Sequence, residues 1–266
     1  MKLLSGSELA GFIKERQAHQ VRGLRQEFKV LPKLAIIMCG HNQASSKYVE
    51  LKKKYGQDIL IETEVYKIDQ SKAINLIKKL NDNKDVHGII VQLPLPNTEQ
   101  TDEIVNTIDP KKDVDSLGKN SEFDAATAMA IMWLIAGYNI NLQGKNVVIL
   151  GRGRLVGAPL EKMLIKSDIY PTFIDEFTKN PEEILPHANV IISAVGKPGL
   201  LHSEIVPDGA VIIDAGVASE GGVLKGDVAD DVYEREDITI TPKIGGVGPL
   251  TIAALFDNVI RSAYKN

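Results

Sequence analysis

Short apolar runs alternate, along most of the chain, with segments whose apolar residues follow helical spacing. In the first half, runs typical of strands cover residues 34–38, 59–66 and 88–92, and segments typical of helices cover residues 45–55, 72–80 and 99–106. Strands and helices that alternate in this order favour a parallel sheet whose faces are covered by the helices.

The same alternation restarts after residue 145 and predicts a second parallel sheet. Its strands cover residues 146–150, 172–174, 190–193, 210–214 and 239–240, and a helix covers residues 156–166. Between the two series, residues 109–115 form a charged segment that begins with a proline-containing turn, and residues 125–136 have helical character. This pattern predicts a two-domain α/β protein.

The two predicted domains differ in kind. Residues 1–122 are predicted to form a parallel-sheet N-terminal catalytic domain, and residues 123–248 a Rossmann-type dinucleotide-binding domain. Residues 249–266 carry apolar side chains at helical spacing. We therefore expect this last helix to complete the N-terminal domain and to pack back across both domains.

Composition narrows the classes of function. The chain has 266 residues, of which 44% are hydrophobic, and its formal charge of −4 gives no reason to expect nucleic acid or an anionic membrane as a partner. No apolar run approaches the roughly 18–20 residues of a membrane helix, and the N-terminus lacks a secretory h-region. The single cysteine, Cys39, excludes an internal disulfide and is predicted to be a small buried side chain. A cytoplasmic protein is expected, and the histidine spacings predict no metal site.

The strand at residues 146–150 leads directly into a glycine-rich turn. The turn has the sequence GRGRLVGAP, with the spacing GxGxxxG rather than the commoner GxGxxG. Glycine permits a tight turn and lets the backbone approach a pyrophosphate, which then lies at the N-terminus of the following helix. Because a strand precedes the pattern and a helix follows it, we interpret Gly151, Gly153 and Gly157 as part of a dinucleotide site.

An acidic residue at the end of the next strand bears on the choice of dinucleotide. Asp175 lies about 20 residues beyond the first glycine, where a carboxylate accepts hydrogen bonds from ribose hydroxyls and repels a 2′-phosphate. Arg152 and Arg154 favour the opposite choice, because guanidinium groups bind phosphate. Asp175 is also of a type that caps helices and stabilises turns. The hypothesis is a preference for NAD, with NADP left open.

Tyr48 and Lys52 lie four positions apart in a predicted helix, so their side chains project from one face about one turn apart. A phenol beside an amine suits proton transfer, because each group can position the other and shift its pKa. Such pairs are more often plain surface contacts, and the pair alone does not define a site.

Three further segments point to a ligand site. Gln92 ends the strand at residues 88–92, and the carboxyl ends of parallel strands are where open α/β sheets bind ligands. The segment KDVD at residues 112–115 supplies carboxylates after the next helix. Residues 241–251, with the sequence TPKIGGVGPLT, form a glycine-rich loop suited to close backbone approach to a flat ligand.

In this order, the motifs resemble those of the bifunctional methylenetetrahydrofolate dehydrogenase/methenyltetrahydrofolate cyclohydrolase family. The chain carries SSKYVELKKK, VQLPLP, KDVD, GRGRLVGAP and GGVGPLT, which together span nearly its whole length. The resemblance implies an enzyme that oxidises 5,10-methylenetetrahydrofolate with NAD or NADP. It implies hydrolysis of the 5,10-methenyl product to 10-formyltetrahydrofolate, two lobes around a cleft, and a homodimer.

The resemblance also implies a role for individual residues. Lys52 is the catalytic lysine, assisted by Tyr48 and Gln92, and Asp115 holds the pterin ring. The other implied substrate-binding residues are Gly245, Pro249 and Thr251. The implied cofactor-binding residues are Gly151, Arg152, Gly153, Val156, Gly157, Asp175, Glu176 and Val217.

Several positions depart from the family pattern. Ser116 replaces the glycine that usually follows KDVD, and residues 125–130 keep only the threonine of the usual PCTPxG segment. Gly153 replaces the serine of GRS, and Glu176 replaces a serine that many NADP-using members carry. The alternatives are a member with only one of the two activities, a different two-domain dehydrogenase acting on a small acid, and a non-catalytic folate- or nucleotide-binding protein. The intact Lys52 argues against the last of these.

Overall fold

The structure, a computed structural model, describes residues 1–40, 43–220 and 223–265. The chain divides into two compact units. The first unit consists of Gly11–Ala126 and Ile252–Asn266, and the second consists of Met1–Ala10 and Thr127–Thr251.

The elements follow one another in alternating order. The strands are β1 Lys2–Leu3, β2 Lys33–Cys39, β3 Glu62–Ile68, β4 Gly88–Val91, β5 Val147–Leu150, β6 Thr172–Ile174, β7 Val190–Ser193, β8 Val211–Asp214, β9 Ala218–Glu220, β10 Val223–Lys225 and β11 Thr239–Ile240. The helices are α1 Gly6–Glu27, α2 Gln43–Asp58, α3 Ala73–Asp82, α4 Thr101–Val105, α5 Ala126–Gly137, α6 Gly157–Ile165, α7 Pro181–Ile184 and α8 Val247–Lys265. Short 3₁₀ turns lie at Gln70–Lys72, Thr98–Gln100, Leu185–His187 and Asp230–Glu234.

The first unit contains a parallel sheet in the order β3-β2-β4. The central strand, β2, is apolar and buried over most of its length because strands and helices cover it on every side, as in other parallel sheets. One core of this unit joins Ile37 and Ile89 of the sheet to Ile77 of α3 and Ile104 of α4. The parallel arrangement brings the carboxyl ends of β2 and β4 to the same edge.

The second unit contains a parallel sheet in the order β1-β11-β8-β7-β5-β6. The strand order reverses direction beside β5, because β6 lies on one side of it and β7 on the other. Open α/β sheets bind ligands at such a switch point, outside the carboxyl ends of the strands. The glycine-rich turn begins at Gly151, directly after β5, and therefore occupies this position. The two parallel sheets and the final helix confirm the predicted fold class.

Some elements give little signal in the sequence. Helix α1 has two internal glycines and a fully buried polar residue, Gln17, so its apolar residues form no continuous stripe. The amide of Gln17 is satisfied inside the unit, where Nε2 donates to the carbonyl of Ala253 at 2.8 Å and Oε1 accepts from the Tyr55 hydroxyl at 2.8 Å. Strand β1 has only two residues and depends on pairing with β11, so its formation follows from tertiary structure.

Strand β3 begins at Glu62, three residues later than predicted. The apolar residues before it instead close helix α2. Leu60 adopts a left-handed conformation with φ of 64°, and the amide of Ile61 donates to the carbonyl of Gly56 at 2.8 Å. This is the Schellman arrangement that satisfies the last carbonyls of a helix, with leucine at the position where glycine is preferred.

Helix α8 anchors the segment that follows α4 in the first unit. Asn258 is fully buried, and its Nδ2 donates to the carbonyls of Val114 and Asp124 at 2.9 Å each. One turn later the hydroxyl of Ser262 donates to the carbonyl of Lys111 at 2.9 Å. Because these contacts fix residues on both sides of Asp115, α8 determines where that carboxylate lies.

We predict that Asn258→Leu destabilises the protein by about 2–4 kcal/mol, because it removes the partner of two buried carbonyls at nearly constant side-chain volume. Urea unfolding followed by circular dichroism measures the change. Lys265→Gln, an exposed substitution on the same helix, is the control and should change the free energy of unfolding by less than about 1 kcal/mol. Equal stabilities of the two variants would contradict the anchoring role.

Candidate active site

A buried lysine is held by an amide at the edge of the first sheet. Lys52 lies on α2 and is only 9% exposed, and its Nζ donates to Oε1 of Gln92 at 3.0 Å. Gln92 directly follows β4, and its Nε2 donates in turn to the carbonyl of Leu93 at 3.1 Å. The second bond fixes which end of the amide faces Lys52. The structure therefore brings together two residues that the sequence separates by forty positions.

The surroundings of Lys52 shift its proton affinity in opposite directions. Burial lowers the pKa of the Lys52 ammonium because the charged form loses water, and the negative charge of Asp115 partly opposes this by raising it. Lowering the pKa of a lysine increases the fraction of neutral amine, which is the form that can accept a proton. The combination of a desolvated amine and one nearby carboxylate is typical of a catalytic site.

Tyr48 lies one turn before Lys52 on α2 and is half-buried. Burial raises the pKa of its phenol, because the phenolate is the form that loses hydration. The hydroxyl therefore stays protonated at neutral pH and serves as a hydrogen-bond donor. Neighbouring Ser45, on the first turn of the helix, donates to the carbonyl of Leu93 at 3.4 Å. This contact ties the start of α2 to the residues that follow β4.

Two adjacent side chains, Lys112 and Asp113, hold the KDVD segment in place. The Nζ of Lys112 donates to the carbonyls of residues 80, 81 and 83 at 3.1, 2.7 and 2.7 Å, at the end of α3. Asp113 is 1% exposed and accepts from the amides of Leu117 and Gly118, and burial raises its pKa to about 6. Asp115 is half-buried, and its charge acts on Lys52. Lys112 and Asp113 therefore fix the loop, and Asp115 is close enough to Lys52 for its charge to raise the pKa of the amine.

In the second unit, the turn after β5 has the geometry that the glycines predict. Gly151 has φ of 87°, and its amide donates to the carbonyl of Ile174 at 2.9 Å. A Cβ at residue 157 would lie 2.0 Å from the carbonyl oxygen of Gly151, so only glycine fits there. A Cβ at residue 153 would meet no described atom within 4 Å. The backbone at Gly153 is thus open for a ligand to approach, while Gly157 lets the turn pack against the start of α6.

The other predicted cofactor residues lie at the carboxyl edge of the same sheet. Val156 precedes α6, and its carbonyl accepts from the amide of Leu160 at 2.9 Å. Asp175 and Glu176 follow β6 and are exposed. Val217 follows β8 and is 50% exposed. Each of these residues follows a strand or begins the helix after one, where a dinucleotide is bound in this type of sheet.

Asp227 is a residue of this edge that sequence reasoning missed. Its carboxylate accepts from the Ser193 hydroxyl at 2.6 Å and from the amides of Val195 and Lys197 at 2.9 and 2.7 Å. These bonds hold the loop after β7, whose carbonyl at Ala194 approaches within 3.0 Å of a Cβ position at Gly151. Asp227 thereby holds the loop that packs against the glycine turn. A lone aspartate in a loop carries no sequence signal for this role.

The predicted substrate loop also lies in the second unit. Gly245 has φ of 85°, and its carbonyl accepts from the amide of Ser7 at 2.9 Å. Pro249 and Thr251 lie in the first turns of α8, where both are half-buried. The hydroxyl of Thr251 contacts the carbonyl of Val247 at 3.3 Å and the hydroxyl of Thr127 at 3.5 Å.

No helix in residues 1–40, 43–220 and 223–265 is long and apolar enough to cross a membrane. Within the same ranges, no group of three or more His, Cys, Asp or Glu side chains is arranged to hold a metal ion.

Together, the open glycine turn at a sheet switch point and the buried Lys52–Gln92 pair define an α/β enzyme with a dinucleotide-binding unit. The chain belongs to the tetrahydrofolate dehydrogenase/cyclohydrolase family. The model of its catalytic domain matches residues 4–115, and the model of its NAD(P)-binding domain matches residues 125–266. These matches confirm the family that the motifs indicated.

Individual relatives agree with this assignment. The chain is 39% identical to the bifunctional protein FolD of Staphylococcus epidermidis over 273 residues, which cover 97% of this chain and 95% of the relative. It is similar to the crystal structure of the FolD dehydrogenase/cyclohydrolase of Campylobacter jejuni, with a TM-score of 0.93, 35% identity, and coverage of 100% and 99%. It is also similar to the Trypanosoma brucei FolD complexed with NADP and an inhibitor, with a TM-score of 0.91, 29% identity, and coverage of 99% and 97%. The alternative of an unrelated small-acid dehydrogenase is thereby removed.

We predict that Gly157→Ala weakens NAD(P) binding on the order of 100-fold, because its Cβ must displace the Gly151 carbonyl by more than an ångström. Gly153→Ala should leave thermal stability unchanged but weaken binding roughly tenfold, since a Cβ there fills the open approach to the backbone. Calorimetric titration measures both affinities.

The matched control for these two variants is Gly23→Ala, because a Cβ at this helical position also meets no described atom within 4 Å. It should bind the dinucleotide like the parent protein. Wild-type affinity in Gly157→Ala would show that the turn does not contact the cofactor.

Proposed function

We propose that the chain carries out both reactions of its family and that Lys52 is the central catalytic residue. The first reaction oxidises 5,10-methylenetetrahydrofolate with NAD(P)⁺, and the second hydrolyses the 5,10-methenyl product to 10-formyltetrahydrofolate. The observation that carries the proposal is the buried hydrogen bond of 3.0 Å between Lys52 and Gln92. It presents an amine of lowered pKa at the carboxyl edge of a parallel sheet.

In the oxidation, the bound nicotinamide supplies the hydride acceptor, and the folate methylene loses a hydride to become a cation. The protein's task is to keep the folate oriented without opposing this charge. A neutral Lys52 meets that requirement, whereas an ammonium beside the developing cation would repel it. The half-buried Asp115 contributes a negative charge in the same region. Burial lowers the pKa of Lys52 and so reduces this repulsion, and the carboxylate attracts the developing cation, although the same carboxylate also raises the pKa of Lys52.

In the hydrolysis, water adds to the methenyl carbon and must lose a proton. We assign proton acceptance to the neutral amine of Lys52, with Gln92 holding the amine and Tyr48 donating its hydroxyl hydrogen bond to the substrate. As the five-membered ring opens, protonated Lys52 gives this proton to the leaving ring nitrogen, and the hydroxyl of the adduct releases its own proton to solvent as the formyl carbonyl forms, so Lys52 ends in its starting state. One base can therefore serve both the addition and the ring opening.

We assign binding of the pterin ring to Asp115, with Gly245, Pro249 and Thr251 as further folate contacts. The pterin carries N–H donors, and a carboxylate accepts two such bonds at once. Ser116 supports this assignment, because it adopts the left-handed conformation, with φ of 56°, in which glycine is favoured. Its hydroxyl donates to the carbonyl of Phe123 at 2.7 Å, a bond that glycine cannot make. Ser116, which replaces the family glycine, therefore still allows the loop to adopt the conformation that glycine favours.

We assign cofactor binding to the turn and edge residues of the second sheet. The open backbone at Gly153 fits a pyrophosphate, and the N-terminus of α6 follows it. Val156 and Gly157 complete the turn, while Asp175 and Glu176 lie where the adenosine ribose is bound in such sheets. We place Val217 beside the nicotinamide end, because it follows β8 on the opposite side of β5 from β6.

A homodimer, implied by the resemblance, and a cytoplasmic location, expected from the composition, stay predictions. Sedimentation of the purified chain at several concentrations distinguishes a monomer from a dimer.

We predict that Lys52→Met lowers the rate of methenyltetrahydrofolate hydrolysis at least about 100-fold, because it removes the proton acceptor. Folate binding should change only a few-fold, since methionine fills a similar volume. The loss of methenyl absorbance reports hydrolysis, and calorimetric titration reports binding. Lys54→Met, an exposed substitution on the same helix, is the control. Full hydrolysis by Lys52→Met would refute the assignment.

We predict that Asp115→Asn moves the acidic limb of the pH profile of hydrolysis to lower pH. The charge of Asp115 raises the pKa of Lys52, so its removal lets that pKa fall further and the neutral amine forms in more acidic solution. The profile of kcat, measured at saturating folate, separates this shift from weaker substrate binding. A limb that moves to higher pH or does not move would contradict the coupling between the two residues.

A further inference from the structure

We propose that this enzyme selects NAD over NADP, and that Glu161 is the residue that enforces the choice by occupying Arg152. The inference rests on the proposed dinucleotide site and concerns only its adenosine end. It adds a specificity-determining residue, Glu161, that no motif identified. Two independent features of the second unit carry it, one on α6 and one after β6.

The first feature is a two-pronged ion pair on the glycine turn. Nε of Arg152 donates to Oε2 of Glu161 at 3.1 Å, and its terminal nitrogen NH2 donates to both carboxylate oxygens at 2.9 Å. Guanidinium groups bind phosphate in the same bidentate geometry. In this protein the Glu161 carboxylate already occupies the donors of Arg152 that a phosphate would use. The Glu161 side chain is 21% exposed and the Arg152 side chain 55% exposed, so the acid lies on the inner side of the pair.

A ring also fixes the orientation of the guanidinium. Arg152 lies over the Phe173 side chain of β6, with its central carbon 4.9 Å from the ring centroid. With the ring on one side and Glu161 accepting from Nε and NH2, reorientation toward a 2′-phosphate would break three hydrogen bonds. A phosphate must therefore compete with the intramolecular carboxylate for the same donors.

The second feature is the carboxylate at the end of β6. β5 and β6 pair in parallel with Leu150 opposite Ile174, so Asp175 follows β6 at the level where Gly151 follows β5. The carboxylate of Asp175 accepts from the amide of Phe177 at 3.0 Å and from the hydroxyl of Thr178 at 2.9 Å. These two bonds fix the carboxylate at the end of β6, where the adenosine ribose is bound in sheets of this type.

The charges at this position favour hydroxyls over phosphate. The ribose of NAD offers hydroxyl donors to a carboxylate, whereas the 2′-phosphate of NADP carries about −1.5 to −2 charges and offers acceptor oxygens. Exposed Glu176 follows Asp175 and adds a further negative charge. Arg154 is the other cation of the turn, and it has an interaction partner of its own. With Arg152 held by Glu161, the net field at the ribose edge is unfavourable to a phosphate.

Binding and turnover of the two dinucleotides test the proposal on the full chain. Calorimetric titration should give an affinity for NAD at least roughly tenfold above that for NADP, and kcat/KM should favour NAD to a similar extent. Glu161→Gln should improve NADP affinity roughly tenfold and change NAD affinity less than about threefold. Asp175→Ser should weaken NAD and improve NADP, because it removes the ribose acceptor together with the repelling charge.

The matched control is Glu182→Gln, which removes one exposed negative charge from the same unit and should change neither affinity. Asp175 follows β6, whereas Glu161 lies on α6. If Glu161→Gln unfolds, the affinities of Asp175→Ser for NAD and NADP still test the proposal. Tighter binding of NADP than NAD by the parent chain would overturn the proposal and leave the enzymatic function standing. Failure of both dinucleotides to bind would instead reject the proposed cofactor site as well as this inference.

Discussion

The hydrogen bond between Lys52 and Gln92 joins helix α2 to the end of strand β4, and the proposed chemistry of the first unit depends on it. A lysine that is 9% exposed loses most of its hydration, so its surroundings must supply a hydrogen-bond acceptor. Gln92 can do this only at the carboxyl end of β4, with its own amide oriented by the Leu93 carbonyl. Helix α2, strand β4 and the KDVD loop must therefore all be in their folded positions before the pKa of Lys52 reaches its final value.

The sequence predicts the framework well because parallel sheets are made of nearly uninterrupted apolar strands. Strands β6, β7 and β11 agree with their predicted limits, and the glycine turn agrees because Gly151 and Gly157 have conformational or steric requirements that only glycine meets easily. The lysine helix and the strand that ends at Gln92 were likewise placed correctly. Strands and turns that depend on local periodicity and on turn residues can be predicted from a single sequence.

The remaining features depend on partners distant in the chain. Helix α1 escapes detection because its buried face includes Gln17, whose partner Tyr55 lies on another helix. The pairing of Arg152 with Glu161, and the support of the loop after β7 by Asp227, are equally invisible. Each of these polar side chains looks like an ordinary surface residue until its acceptor or donor is located in space.

The anchoring of the KDVD loop by α8 has a consequence for the order of events during synthesis. The carbonyl of Val114 has no donor until Asn258, 144 positions later, has been synthesised. The carbonyl of Lys111 likewise depends on Ser262, 151 positions later. The nascent chain can assemble the sheet β3-β2-β4 early, but the loop that bears Asp115 stays incomplete until α8 has left the ribosome. In a partly translated chain, Lys52 is therefore present before Asp115 is fixed in place. The active site forms only at a late stage of synthesis.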